Sequence, residues 1–593
     1  MRISSGMLLL TPLFAAALFA QAPQPHAGWE LVPGGEDLIS DGYWDTTEMV
    51  TAPATVQVSN GVLTASTGSN YSGSANPLAP RLYTTAGNFG IVATIQTSPG
   101  MSGLITLTGS LTTTAQGGQG VTTVQFGIDN NGSYAFGYWD GTSSSPNLFQ
   151  FFKEFSTPPT GTMTMELLHQ GGQFLLYFNG VEYGPIADPG LFALGYVMPG
   201  YELDPNQTMT LTQLAFEVPS GDTVAQLQTP VGVIPHGHPG PSLGSLAAAT
   251  GRTFGVQTDA EELALGRDLY GSYTPLDPTF APKVIGEFNL LVDNGMYYLP
   301  TESAQGDFTL DDGNAALADA KDNGLAAHCH HLIGPNTYLP SWLVNGNFTA
   351  DQLTQIMKTH IQTVMGHFKG QCSSWDVVNE ALNFDGTVDT SMDNVWANTI
   401  GPSYIDLAFQ TARQADPAAK LFFNDWYIED QTPKTAGLYT LLAGMQQRGT
   451  PIDGLGLESH FGPPGASDPN LLPNYDSMVA NMAQLAKMGL RARISELDVR
   501  LLLPASAADL ANQATVFSTA VQACLDSPNC IGISVWGADD AESWIPNAEP
   551  GYGAATLFDA NFQPKPAYTA VMDTLREAAF RLHDRSCKTL RCP

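Results

Sequence analysis

The stretch "SSWDVVNE" (373–380) is a short apolar run that ends on an amide and a carboxyl, Asn379 and Glu380. A charge at the end of an otherwise apolar strand is unfavourable to bury unless it is paired or used. The same form recurs in "RTFGVQT" from 252, "FNLLV" from 288, "LAAHCHHL" from 325, "KLFFND" from 420, "IDGLGLES" from 452, "RARISELD" from 491 and "CIGISVWG" from 530. That makes eight strand candidates at intervals of about 30–50 residues. Helix-like stretches such as "SYIDLAFQTARQADP" (403–417) and "YDSMVANMAQLAKMG" (475–489) lie between them. Eight strand-then-helix units over residues 244–578 predict an α/β fold, a (β/α)8 barrel, with its active site where the strands end. An open doubly wound sheet is the alternative, but no glycine-rich phosphate loop follows the first strand.

Residues 28–218 follow a different period. "TMTMELLHQGGQFLLYFNGVEYG" (162–184) alternates apolar and polar residues and turns at Gly171-Gly172 and Asn179-Gly180. "VTTVQFGIDNNGSYAFGYWDG" (121–141) repeats this with Asn131-Gly132. These dipeptides favour tight hairpins, and an all-β sandwich accessory domain is expected. Trp44, Tyr134, Tyr138 and Trp139 could give it a sugar-stacking face, or be core and rim. Residues 219–243, rich in Pro and Gly, read as a linker, and 579–593 as a C-terminal tail.

The 593 residues carry 23 basic and 56 acidic side chains, a formal charge of −33. Such a field repels nucleic acid and anionic membranes, so neither is expected as a partner. Residues 1–22 read as a secretory signal: Arg2, an apolar run from Met7 to Phe19, then Ala20 and Ala22. A secreted monomer is expected, with six cysteines that permit disulfides. Cys524 and Cys530 are close enough to bridge, and Cys587 and Cys592 could staple the tail. Cys329 and Cys372 read as buried thiols, although each precedes a barrel-type motif and could lie on a neighbouring strand.

Strand seven ends in Glu496-Leu497-Asp498, three units on from Glu380, so the two glutamates can face each other across the barrel mouth. Paired carboxyls suit glycoside hydrolysis, one protonating the leaving oxygen while the other attacks carbon or activates water. Apolar walls must raise one pKa while hydrogen bonds keep the other ionised. Trp375, Trp536 and Trp544 can supply the walls, Asn379 and His460 the donors.

"WDVVNEALNFDGT" (375–387) and "ISELDVR" (494–500) resemble the acid/base and nucleophile segments of glycoside hydrolase family 10, the endo-β-1,4-xylanase family. "AKLFFNDWYIED", "IDGLGLESHF", "CIGISVWGADDAESWI" and "FQPKPAY" resemble further family segments in the same order, over about residues 240–578. The sandwich before them is similar in its hairpins to concanavalin- and laminin-G-like domains. The resemblance implies a retaining hydrolase of xylan, with Glu380 as acid/base, Glu496 as nucleophile, and no metal or cofactor. It also implies that Asn379 bonds the sugar's 2-hydroxyl, that His460 supports the nucleophile, and that Trp536 and Trp544 wall the site.

The chain departs from the family's pattern around the substrate. "DNGMYY" (293–298) keeps Asn294 but has Gly295 and Tyr297 where the family carries glutamate and lysine. Pro335-Asn336 replace a Trp-His pair, Tyr338 a glutamine, Trp426-Tyr427 a Tyr-Asn pair, and Glu458 a glutamine near the nucleophile. Asn294 is therefore expected at the substrate as in the family, and Asn336, Tyr338 and Glu458 there in altered roles. Another β-glycan or β-glycoside, or glycosyl transfer, stays open. A non-catalytic sugar-binding barrel is the remaining reading, against which both glutamates stand.

"HCHH" (328–331) suggests a metal cluster, but strand alternation points His328 and His330 one way and Cys329 and His331 the other. Aligned back from "TYLPSW" (337–342), His331 falls on the family's sugar-bonding histidine and Cys329 where an arginine is usual.

Overall fold

The alternating half folds where its turns allow. Gly171 and Gly172 take φ of 61° and 73°, and Asn179 and Gly180 take 50° and 75°. Two successive positive φ values match the right-handed twist of the flanking strands. Gly161–Gln170 therefore pairs with Gln173–Phe178, and that strand with Val181–Ala187. The computed structural model describes residues 240–265, 279–303, 305–463 and 472–590, and before them mainly the strands between residues 24 and 234. Among the described residues two eight-stranded antiparallel sheets form this half. They share one buried cluster, with Ile91, Leu167 and Leu211 from one sheet and Ile105, Phe126 and Phe136 from the other.

Tyr134 belongs to that core, stacked on Phe178 at 4.2 Å, and Tyr138 packs against it. The expected sugar-stacking face therefore loses both, because their alternation phase is that of the inward residue Phe136. Trp139 points to the other side of its strand, and Trp44 and the signal stretch lie outside the described residues.

The second half has strands β1 (Thr253–Gln257), β2 (Leu290–Asp293), β3 (Ala326–Cys329) and β4 (Ser374–Asn379). It continues with β5 (Lys420–Asp425), β6 (Gly454–Leu457), β7 (Arg491–Val499) and β8 (Cys530–Val535). Each pairs in parallel with the next, and β8 pairs with β1, closing the barrel. Helices return the chain between strands. Tyr404–Ala415 buries Tyr404, Ile405, Ala408, Phe409 and Ala412, a stripe at helical spacing that contributes roughly 1.5–3 kcal/mol for each large side chain removed from water.

Three expectations need correction. The linker is partly built in, since Val224–Gln226 adds a strand to the sandwich and Gly232 and Ile234 donate backbone N–H groups to Asp319 and Asn323. Helix Pro566–Leu590 runs through the boundary expected at 578, because nothing in "REAAFRLHDRSCKTL" breaks a helix. Cys329 and Cys372 form a disulfide: pairing of β3 with β4 sets His328 opposite Ser374 and brings the two Cα atoms to 5.8 Å. Cys524 and Cys530 are bridged as expected. The pairing suggested for Cys592 lies outside the described residues.

Candidate active site

The strand ends surround a cleft of about 500 Å³ lined by Asn294, Tyr297, Tyr338, Glu380, Trp426, Tyr427, Glu458, His460, Glu496, Trp536 and Trp544, among others. Glu380 stands one residue beyond β4 with φ of 51°, a left-handed conformation that costs a non-glycine residue about 1 kcal/mol or more. Its N–H bonds Asn424 O at 3.0 Å, and Leu382 N–H bonds Asp425 Oδ2 at 3.2 Å. The turn after β4 is thus pinned to β5, which aims the carboxyl into the cleft.

On Glu380, Oε1 accepts from the Tyr338 hydroxyl and from Asn379 Nδ2, each at 3.1 Å. Burial, then the charges of Asp425 and Glu496, push its carboxyl up to about 7. It therefore carries a proton in weakly acid solution. Asp425 is in turn held by Lys434 at 2.7 Å, with both side chains fully buried and the ammonium 4.5 Å above the Trp426 ring.

Glu496 has the opposite surroundings. Asn424 Nδ2 reaches its Oε1 at 2.7 Å and His460 Nε2 its Oε2 at 3.2 Å, while His330 Nε2 stands 3.7 Å from Oε1. His460 gives its Nδ1–H to Asp498 Oδ2 at 2.9 Å, and the same oxygen takes the Trp544 indole N–H at 2.8 Å. Burial alone would lower the imidazole's pKa, but Asp498 and Glu496 overcome it and raise it to about 10. His330 is likewise raised, with Glu496 and Asp376 prevailing over burial. Two imidazoles and an amide thus surround the Glu496 carboxyl. Glu458, beside Glu496, is pushed well above the usual carboxylate range by burial and by Glu496 and Glu380. Asn424 Nδ2, with two hydrogens to give, faces three oxygens: Asn379 Oδ1 at 2.8 Å, Glu458 Oε1 at 3.0 Å and Glu496 Oε1 at 2.7 Å.

The "HCHH" reading needs correction. His328 and His330 share a side as alternation predicts, and what fails is the placing of His331 at the sugar. His328 Nε2 and His330 Nδ1 both meet Asp376 Oδ2, at 2.7 and 2.8 Å, and His328 Nδ1 meets Ser374 Oγ at 2.6 Å. His330, not His331, faces the reaction centre. His331 is fully buried away from the cleft against Tyr297 and Tyr338, with neither ring nitrogen hydrogen-bonded among the described residues. Asn336 also leaves the site, since its amide holds Val395 N–H and Met392 O on the loop after β4. Asn379 lies behind Glu380 rather than at the cleft wall. Asn294, Tyr338, Glu458, His460, Trp536 and Trp544 do line the cleft.

Among the described residues two donor sets have their nitrogen and oxygen atoms within 4.8 Å of one another, His328–His330–Asp376 and Glu458–His460–Glu496. In both, those atoms already bond each other or the neighbouring amide and hydroxyl groups. Sequence reading missed Asn424, Asp376 and His330 as site residues. The polar Asn424-Asp425 end of the apolar run "KLFFND" was the available signal for the first.

A barrel whose strand ends set a buried carboxyl raised toward neutrality and a second one clasped by an amide and two imidazoles in one aromatic-walled cleft is a glycoside hydrolase. The chain belongs to glycosyl hydrolase family 10, whose family model matches residues 242–574. It is 36% identical over 300 residues to endo-1,4-beta-xylanase 1 of Gibberella zeae, covering 50% of this chain and 83% of that protein. It is 38% identical over 332 residues to endo-1,4-beta-xylanase A of Phanerodontia chrysosporium, covering 56% and 76%. Among solved structures, xylanase 10B of Thermotoga maritima matches 57% of this chain and 99% of its own at 33% identity and TM-score 0.52. Xylanase 10B of Thermotoga petrophila RKU-1, solved with xylobiose, matches 58% and 100% at 32% identity and TM-score 0.51.

Proposed function

We propose that this enzyme is a secreted endo-β-1,4-xylanase that cuts internal links of xylan by a retaining double displacement. The observation that carries the reading is the contrast in surroundings between Glu380, raised to about 7 by burial and like charge, and Glu496, clasped by Asn424, His460 and His330. The Glu496 carboxylate attacks the anomeric carbon while Glu380 protonates the glycosidic oxygen, which departs with the bonding electron pair. Glu380, now the base, takes a proton from water, and the resulting hydroxide equivalent displaces Glu496 and restores the first state.

The substrate reading leans on the relatives named above, which are xylanases by name. A second reading, another β-glycan or glycosyl transfer, is favoured by the aromatics Tyr297, Tyr338, Trp426 and Tyr427 on the cleft wall. Stacking on a sugar face selects less sharply than bonding its hydroxyls. Export rests on the apolar start of the chain and agrees with two disulfides. The test is to assay the purified chain on xylan, mixed-linkage glucan and cellulose with Glu496→Ala as control, following the anomer released by proton NMR. Internal cleavage of xylan with retained configuration, absent in the variant, is expected. Inverted product would overturn the mechanism, and cleavage of another glycan alone would overturn the substrate.

A further inference from the structure

Tyr338 stands where the family carries a glutamine, and its hydroxyl bonds a catalytic carboxyl. We propose that Tyr338 is a positioning residue for the general acid: with Asn379 it fills Oε1 of Glu380 and confines the transferable proton to Oε2. This rests on the reading of Glu380 as acid/base.

The orientations follow from one another. The nucleophilic carboxylate can only accept, so Asn424 turns Nδ2 toward Glu496 at 2.7 Å, and its Oδ1 then accepts the Ser495 hydroxyl at 2.7 Å. Asn379 therefore turns Oδ1 to that Nδ2 at 2.8 Å, which leaves its own Nδ2, a donor only, aimed at Glu380 Oε1. Tyr338 brings a second donor to the same oxygen. A carbonyl oxygen accepts hydrogen bonds better than an acid O–H does, so the doubly bonded oxygen is Oε1 and the acid O–H is Oε2.

The Tyr338 ring is fixed by Tyr297 at 5.0 Å and His331 at 4.9 Å between centroids. Gly334 packs directly on the His331 ring, where an added Cβ would stand 2.4 Å from it. The buried His331, with no hydrogen bond among the described residues, thus has a role as a support for Tyr338.

In the transfer, the Oε2–H bond breaks, the proton joins the glycosidic oxygen, and that oxygen keeps the electron pair of the broken C–O bond. Tyr338 and Asn379 then steady the charge left on Glu380. The charged and titratable groups facing Glu380 are Asp425 with its Lys434, Glu496, Glu458, His460 and Tyr297.

The test is Tyr338→Phe, assayed on dinitrophenyl and phenyl β-glycosides of the sugar the wild type accepts. A dinitrophenolate leaves without acid help, whereas a phenolate needs it. With the acid misaligned, kcat/KM should fall about tenfold for the phenyl glycoside and stay within about twofold for the dinitrophenyl glycoside. The alkaline limb for the phenyl glycoside should move up by about half a pH unit or more, because Glu380 ionises less readily with one donor fewer. Equal loss on both substrates with an unmoved limb overturns the proposal, as does a rise in KM alone, which would make Tyr338 a sugar ligand. Glu380→Ala separates the two levels. If it too lacks leaving-group dependence, the acid/base reading falls with the proposal. If it has that dependence and Tyr338→Phe does not, only the proposal falls.

Discussion

Replacing Asp498 by asparagine should give the enzyme a new titration. Asp498 Oδ2 lies 2.9 Å from His460 Nδ1, and at an effective dielectric of about 20 such a pair is worth about 6 kcal/mol, or roughly four decades of proton affinity. The imidazolium is raised to about 10, so losing this partner returns it to the neighbourhood of its ordinary value. As pH rises through that value, Glu496 loses a cation 3.2 Å from its Oε2. The assay is kcat/KM against pH on a dinitrophenyl glycoside, which does not depend on Glu380. The wild type should hold a plateau through neutral pH, and Asp498→Asn should show a descending limb near pH 6–7. Stability follows the same sign. A folded pKa above the unfolded one contributes fully below about 6.5 and is lost as pH rises toward 10, so the variant's deficit should be largest in acid and fade in alkali. A variant profile without a new limb would refute the assignment of His460 as a cation beside the nucleophile.

Two further predictions concern the frame of the site. Lys434→Met leaves Asp425 buried without its counter-charge and should destabilise the chain by about 3–5 kcal/mol in urea unfolding at pH 7, less at pH 4–5 where Asp425 can take a proton, and adding Asp425→Asn should recover most of the loss. Equal deficits at both pH values would refute the ion pair. Breaking Cys329–Cys372 by paired serine substitutions, with a sequence separation of 43, should cost about 4 kcal/mol against about 2 for Cys524–Cys530, with a separation of 6. Equal costs by urea unfolding would argue against the chain-entropy account.

The barrel was legible because eight apolar strands with helical returns admit few closed arrangements, and each expected strand is present within a few residues. Glu380 and Glu496 were legible because a charge at the end of an apolar strand has little reason to be there except use. The histidines were not. Alternation rightly set His328 and His330 on one side, where both meet Asp376, but it does not say which histidine reaches the cleft. Aligning His331 by counting back from "LPSW" assumes an unchanged loop length, whereas the fold places His330 beside Asp376 and Glu496. Tyr338 was legible as a substitution but not in its role, since a sequence does not say which hydroxyl lies 3.1 Å from which carboxyl.

Order along the chain thus determined the two architectures, the strand count and the pair of glutamates, because hydrophobic period and strand-end polarity are local properties. Partner choice was decided only in three dimensions. Cys329 with Cys372, Asp425 with Lys434, Asp376 with two histidines and Tyr338 with Glu380 depend on strand register and on where each strand stops, and a shift of one residue changes which side chain meets which.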